Sequence, residues 1–435
     1  MAAGMGRTIT SDSLGARVRA ARRERAMSQA QLAGQELTKG FISQLESGAV
    51  RPSIRSLQII ASRLGKSLDY FLGDEPLSTQ KRAEFYDLAA QAAFERSDWN
   101  DLLRVVVDTQ GLDLDSRRRA RFLRWRAHAE LGLGHTEEAF AAVDEALRAQ
   151  DIGSDPTSHA WVLLVQGVAY SAIGQVLAAS QSFERALAIV NEHEVLDAQL
   201  RTRLLMNLGT VYRRLNRPTR AIQLYESALG LANRADDIRA VARALMGVAV
   251  SLYDSGELDA AIANYRRALE LFRRVSDQGF ELSVLQSLAV VAFEQGAYEK
   301  AETYARQCRD RAIAVGDEHV VAIAEAELAR IALASGDVEA AVLTARSSEQ
   351  TLARLGDVKQ RASALRTLAT AEDRLGDPES SDRHFQQAID LALSIAMYPD
   401  VSRYAAEYAE RLRERKEYER AFQYLDLSRK HASAV

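Results

Sequence analysis

The chain has 435 residues, of which 56 are Lys or Arg and 60 are Asp or Glu, so its formal net charge is −4. Hydrophobic residues make up 47% and charged residues 27%, which is typical of a folded chain and excludes a largely disordered one. The single cysteine excludes an internal disulfide framework, and no apolar run approaches the ~18 residues that a membrane helix needs. We therefore expect a soluble cytoplasmic protein with no membrane contact. Its length predicts several domains or an extended repeat.

The charge is unevenly distributed along the chain. Residues 1–75 contain 11 basic and 7 acidic side chains, whereas the remainder contains 45 basic and 53 acidic ones. A positive N-terminal segment followed by an acidic body suits a head that contacts phosphate and a body that avoids it.

The N-terminal segment contains five short helical patterns in succession. Residues that can cap or open a helix precede them: Ser13, Ser28, Thr38, Pro52-Ser53 and Ser67. The second pattern is predicted to span Gln29–Ala33, and the third Lys39–Glu46, which ends at Ser47-Gly48. We expect an all-helical domain of five helices over residues 13–74, with residues 1–12 as a flexible arm.

The third pattern has the composition of a helix that enters the major groove of DNA. Ile42 and Leu45 are three positions apart, so they share one face, which can pack on the second helix. The residues left facing outwards are small or polar: Lys39, Gly40, Ser43 and Gln44. A glutamine can form two hydrogen bonds with adenine, and a lysine can reach guanine acceptors or a phosphate.

Further DNA contacts are predicted around this helix. Gln29 begins the second pattern, where a side chain and free backbone N–H groups can bind a phosphate. Arg51 and Arg55 flank the start of the fourth pattern and can add phosphate contacts, and Arg17 and Thr38 complete the predicted set.

Four stretches of the head stand in a fixed order: 14–19, 28–33, 41–48 and 52–64. In order and spacing they resemble the Cro/repressor-type (Xre-like) helix-turn-helix family. The resemblance implies that Gln29 holds a phosphate, that the outward residues of the third helix face the bases, and that Arg22 pairs with Glu46. The link from Ala33 to Ile42 is one residue shorter than usual and lacks the expected turn glycine. The base-facing register therefore stays open by one position.

Residues 80–435 contain an internal repeat of about 40 residues. One slot of each unit holds a residue suited to positive φ: Gly134, Gly174, Asn216, Gly256, Gly296, Gly336 and Gly376. Five residues later comes a small residue: Ala139, Ala179, Ala221, Ala261, Ala301, Ala341 and Ser381. An aromatic often follows four residues on: Phe183, Tyr225, Tyr265 and Phe385. Each unit is predicted to be a helix, a tight turn and a second helix, and stacking supplies the core.

Nine units are predicted to begin near residues 83, 120, 160, 202, 242, 282, 322, 362 and 402. The best of them, Trp161–His193, resembles a tetratricopeptide repeat, and the whole body is similar to that of peptide-sensing regulators of Gram-positive bacteria. The resemblance implies a right-handed α-solenoid of about eight or nine hairpins over 83–435, which binds a signal and dimerises. Residues 75–82 are expected to form a linker.

The first helix of each unit is expected to line a concave wall. Eleven residues are placed there: Arg203, Asn207, Arg243, Met246, Tyr253, Gln286, Phe293, Glu327, Arg330, Arg366 and Asp373. This mixture of arginines, amides, acids and aromatics can hold an extended peptide by its backbone and its terminal carboxylate. An ordinary solvated helix face remains an alternative for each residue taken alone.

No motif of a catalytic or metal-binding site occurs, so we expect neither an enzyme nor a cofactor nor a metal site. Cys308 falls in a small-residue position and is predicted to fill the core. The prediction is a transcriptional regulator that binds double-stranded DNA as a homodimer and senses a short peptide. Two alternatives remain, which are control by a protein partner and a tetratricopeptide interaction scaffold.

Overall fold

The computed structural model describes residues 14–34, 36–50, 52, 54–66, 70–71, 79–149 and 155–432, without the side chains of residues 54, 55 and 58. They form helices and turns without any strand, so the all-α prediction is confirmed. The chain divides into two compact units between Asp197 and Ala198. Within the described ranges, no helix is both long enough and apolar enough to span a bilayer.

Four helices form the described part of the head. They are α1 (Leu14–Glu24), α2 (Gln29–Ala33), α3 (Lys39–Glu46) and α4 (Ile54–Leu64). The bounds of α2 and α3 are those predicted, because Ser28 and Thr38 cap them: Ser28 Oγ accepts from Gln31 N, and Thr38 Oγ1 from Phe41 N. Of the fifth predicted helix, the structure describes Tyr70 and Phe71, and Ser13 and the arm lie outside the described residues.

Three helical hairpins follow the head in the first unit. They are α5 (Thr79–Glu95) with α6 (Trp99–Val107), α7 (Ser116–Leu133) with α8 (Thr136–Arg148), and α9 (Pro156–Ala172) with α10 (Val176–Glu192). Helix α5 begins inside the segment predicted as a linker. One cluster of buried residues runs from Val18 in the head through Phe71 to Tyr86 and Trp125 in the hairpins. The head and the first hairpins therefore share a core.

The second unit consists of six hairpins. They are α11 (Ala198–Arg214) with α12 (Pro218–Arg234), α13 (Ile238–Asp254) with α14 (Leu258–Arg274), α15 (Gln278–Glu294) with α16 (Tyr298–Val315), α17 (Glu318–Ser335) with α18 (Val338–Leu355), α19 (Val358–Arg374) with α20 (Pro378–Ser394), and α21 (Tyr398–Glu414) with α22 (Tyr418–Ala432). Each second helix also packs on the first helix of the next hairpin. The described residues thus contain nine hairpins, as predicted.

Every hairpin begins four residues before its predicted start. The predicted starts follow the repeat spacing, which gives the period of the units but not the first residue of the helix. At several hairpins an aspartate fixes that first residue; Asp237 accepts from Ala240 N, and Asp317 from Val320 N.

The turn inside each hairpin has the predicted conformation. Asn216 has φ 55° and Gly336 has φ 91°, so both lie in the left-handed region that the sequence pattern indicated. Ser97 and Lys416 occupy the same position in the first and last hairpins, also at positive φ, although neither residue type signals such a turn.

The repeated small and aromatic residues form the core between helices. Ala221, Ala261 and the other small residues of that position are buried, as are the four aromatics. A Cβ on Gly209 or Gly247 would lie within 3 Å of the Tyr225 ring, so these glycines let the ring pack between two first helices. Cys308 is fully buried, which confirms its predicted place in the core.

Candidate functional site

Helix α3 presents the outward face that the sequence predicted. Ile42 and Leu45 are buried in the core of the head. The remaining predicted DNA contacts of this helix and its cap are exposed to solvent: Thr38, Lys39, Gly40, Ser43 and Gln44. The face is therefore open, small and polar, and it carries one cation at its N-terminal end.

Glu46 anchors the C-terminal end of α3 to α1 and α2. Its side chain is only 1% exposed, and Arg22 binds both carboxylate oxygens, with Nε–Oε1 at 2.6 Å and Nη2–Oε2 at 3.0 Å. Gln29 Nε2 donates to Oε2 at 2.9 Å. Burial alone would raise the pKa of Glu46, but the hydrogen bonds from Arg22 and Gln29 outweigh it and hold the pKa below its ordinary value. The charged network fixes how α3 projects from the head.

A close backbone contact fixes the same end of α3. Gly15 in α1 lies against the last turn of α3, where a Cβ would stand 2.3 Å from the carbonyl oxygen of Leu45. Only a residue without a side chain permits this approach. The sequence pattern contained Gly15 but gave no indication of this contact.

The other predicted DNA contacts have different surroundings. One hydrogen of the Gln29 amide goes to Glu46, which leaves its second hydrogen for another acceptor. Arg17 is half-buried and donates from Nε to the carbonyl oxygen of Phe71 at 3.1 Å, so it joins two parts of the head. Arg51 lies outside the described residues. Arg55 lies in the first turn of α4, and its side chain is outside the described part of the chain.

All eleven residues predicted for the repeat wall lie in first helices of the second unit and are half-buried. Several already have partners. Asn207 donates to the carbonyl oxygen of Arg203 at 2.8 Å, and Met246 packs on the core. Arg243 lies over the Phe280 ring, 6.0 Å from its centre. These contacts hold the three side chains against the first helices of the unit.

The arginines farther along the wall are paired with acids. Arg330 lies 3.9 Å from the centre of the Phe293 ring and binds Glu327 at 2.6 Å. Arg366 binds a carboxylate of the next first helix at 2.9 Å, and Asp373 lies 3.7 Å from Arg415, the C-cap of α21. The charges in this part of the wall are thus compensated.

Three of the predicted wall residues meet at one cavity of about 330 Å³: Tyr253, Gln286 and Glu327. Other parts of its lining, such as Val290, Ile323 and Gln360, were not predicted. Their residue types did not indicate a binding role, because the cavity is formed by the stacking of four hairpins.

Two family models match the chain. Residues 18–71 match a model described as helix-turn-helix, and residues 200–274 and 240–314 match one described as tetratricopeptide repeat. The chain therefore carries an N-terminal helix-turn-helix segment and tetratricopeptide repeats C-terminal to it, as the sequence predicted.

A curated relative matches part of the chain. Over 74 residues the chain is 31% identical to an immunity repressor protein of Bacillus phage phi105. The match covers 17% of this chain and 51% of the repressor, so the chain spans about half the length of the curated relative that it matches.

Solved structures match most of the chain at low identity. The apo form of RapI has a TM-score of 0.65 at 13% identity, covering 82% of this chain and 97% of RapI. The apo quorum sensor NprR from B. thuringiensis has a TM-score of 0.62 at 13% identity, covering 81% of this chain and 98% of NprR. At these identities the likeness is one of fold.

Proposed function

We propose that this protein is a sequence-specific transcriptional regulator that binds DNA as a homodimer. Its repeats sense a signal, and that signal is a short peptide. Residues 13–74 are the DNA-binding domain, and residues 83–435 are the signal-binding and dimerisation domain. The observation that carries the proposal is the exposed polar face of α3 above the buried anchors Ile42 and Leu45.

The local geometry suits major-groove recognition. Arg22 of α1 and Gln29 of α2 both bind Glu46, so α3 is held at its C-terminal end while the outward face of its N-terminal half is exposed. Gln44 supplies an amide for an adenine edge, and Lys39 supplies a cation for guanine or phosphate. We assign Arg17 to packing within the head, because its Nε is taken by a backbone carbonyl.

Sensing is supported by the composition of the repeat wall and by the neighbouring folds. Arginines, acids, amides and aromatics line the first helices, and such groups bind the backbone and termini of an extended peptide. NprR, which shares the fold, is described as a quorum sensor. We propose a homodimer because one small head contacts few base pairs, and two linked heads bind DNA with much higher affinity than one.

Selection from a random pool of duplex DNA with the full chain tests the proposal. We expect enrichment of two related half-sites about one helical turn apart. Gln44→Ala should flatten the preference at one position in each half-site, because the base-contacting amide is lost. Gln80→Ala, which removes an exposed amide of α5, is the matched control and should leave the motif unchanged. A pool without any enriched motif at low salt would exclude the regulator and favour an interaction scaffold.

A further inference from the structure

The cavity in the second unit is lined by residues of both first and second helices. The half-buried residues Tyr253, Gln286 and Glu327 lie on the first-helix side. Tyr265 and Cys308, which are 1% and 0% exposed, come from the second helices α14 and α16 and are among its most buried lining residues. The cavity therefore joins half-buried residues of the wall to fully buried residues of the core.

The lining of this cavity carries no uncompensated charge. Burial raises the pKa of the Tyr265 phenol to about 12 and that of the Cys308 thiol to about 12, so both stay neutral at physiological pH. The acid of the lining, Glu327, is paired with Arg330 at 2.6 Å, and that guanidinium is stacked on Phe293. A charged occupant would lose its hydration without gaining a free counter-ion.

One hydrogen-bond donor of the lining is unused. The Nε2 of Gln286 is buried and, among the described residues, meets no acceptor. An unsatisfied buried donor is costly, so we expect the Gln286 amide to turn towards an occupant of the cavity that brings an acceptor. The rest of the lining is mostly aliphatic, including Val250, Val290 and Ile323.

The cavity volume is suited to a bulky group. An aliphatic cavity of about 150 Å³ accommodates benzene, and this cavity measures about 330 Å³. It thus has room for an aromatic or branched aliphatic group together with one adjoining amide.

We propose that this cavity binds an uncharged, bulky apolar group whose neighbouring carbonyl oxygen accepts a hydrogen bond from Gln286 Nε2. The inference rests on the proposed function in so far as it names the chemistry of the sensed signal. The same chemistry occurs in an aromatic or leucine-like residue within a peptide and in a free small amide.

Ligand-observed NMR titrations of the full chain test the proposal with defined probes. N-acetylphenylalaninamide should bind at least ~10-fold more tightly than N-acetylalaninamide, because only the benzyl group fills the cavity. Zwitterionic phenylalanine should bind more weakly than the blocked amide. Equal affinity for the two blocked amides would overturn the proposal.

Two variants connect the binding to this cavity. Val290→Phe places a ring into the cavity and should lower the affinity for N-acetylphenylalaninamide by ~10-fold or more. Val338→Phe makes the same change at a half-buried position outside the cavity and should bind as the wild type does. Gln286→Leu removes the donor and should weaken binding by about 2- to 10-fold. Unchanged affinity in Val290→Phe would show that the amide binds elsewhere.

A pair of probes distinguishes the two sources. If the group belongs to a peptide, acetyl-Ala-Phe-Ala-amide should bind more tightly than 3-phenylpropionamide, because its flanking residues contact the wall. Similar affinities would indicate a free small amide.

Duplex binding by the same samples separates this proposal from the proposed function. Val290→Phe should bind DNA as the wild type does in the absence of probe. If the probe affinities follow the expected order but no variant binds any duplex, the cavity assignment stands and the regulator fails. DNA binding without selectivity for the aromatic amide would overturn the cavity assignment and leave the regulator in place.

Discussion

Glu46 shows how one residue determines the geometry of α3. It is almost fully buried, and its charge is stabilised by Arg22, whose side chain is 13% exposed, and by Gln29. The pairing with Arg22 was expected from the resemblance to repressor heads. The bond from Gln29 was not, because its partner is set by the angle between α2 and α3 rather than by sequence spacing.

Glu46→Gln should destabilise the head by about 3 kcal/mol, because it leaves the Arg22 guanidinium buried without a counter-charge. The measurement is hydrogen exchange protection of the amides of α1 and α3 at pH 7. Glu24→Gln is the matched control; it breaks an exposed pair with Lys66 and should cost less than ~1 kcal/mol.

The sign of the pH dependence follows from the lowered pKa of Glu46. A carboxylate whose pKa is lowered by folding contributes its full stabilisation above the unfolded value, about 4.3, and loses it as the pH falls through the folded value. The difference in protection between wild type and Glu46→Gln should therefore narrow below about pH 4. A constant difference from pH 7 to pH 3 would contradict the assigned role.

At the scale of elements, the sequence predicted those features that depend on local chemistry. Ser28 and Thr38 fixed the starts of α2 and α3, and the glycine positions fixed the hairpin turns. The sequence pattern placed the hairpin starts four residues late, because the repeat spacing indicates the period of the hairpins more clearly than the first residue of each helix. Capping aspartates such as Asp237 would have given the correct starts.

The turn conformation predicts opposite effects for two identical substitutions. Gly336→Ala should lower the free energy of unfolding of the second unit by about 1 kcal/mol, because φ is 91° there. Gly230→Ala, within α12 and with open space around the added Cβ, should raise it by about 0.5–1 kcal/mol. Urea denaturation followed by circular dichroism measures both. Shifts of the same sign would show that the turn does not require the left-handed conformation.

At the scale of the whole molecule, the two proposed functions use surfaces of different charge. The proposed DNA contacts lie in a basic N-terminal segment, and the proposed signal contacts lie in the acidic repeats. The sequence placed the wall residues in the correct helices, since helical periodicity and repeat spacing determine that layer. It did not predict the cavity lined by Gln286 and Cys308, because its shape depends on small differences in how successive hairpins pack.

The most direct test of the central claim is a base-substitution titration on the selected duplex, measured by fluorescence anisotropy with wild type and Gln44→Ala. We predict that one base change per half-site weakens the binding of DNA by the wild type ~10-fold or more, while Gln44→Ala binds the original and the changed duplex equally. All other base changes should lower the DNA affinity of both proteins by the same factor. If Gln44→Ala retained the full wild-type pattern of penalties, α3 would not be the element that reads the bases.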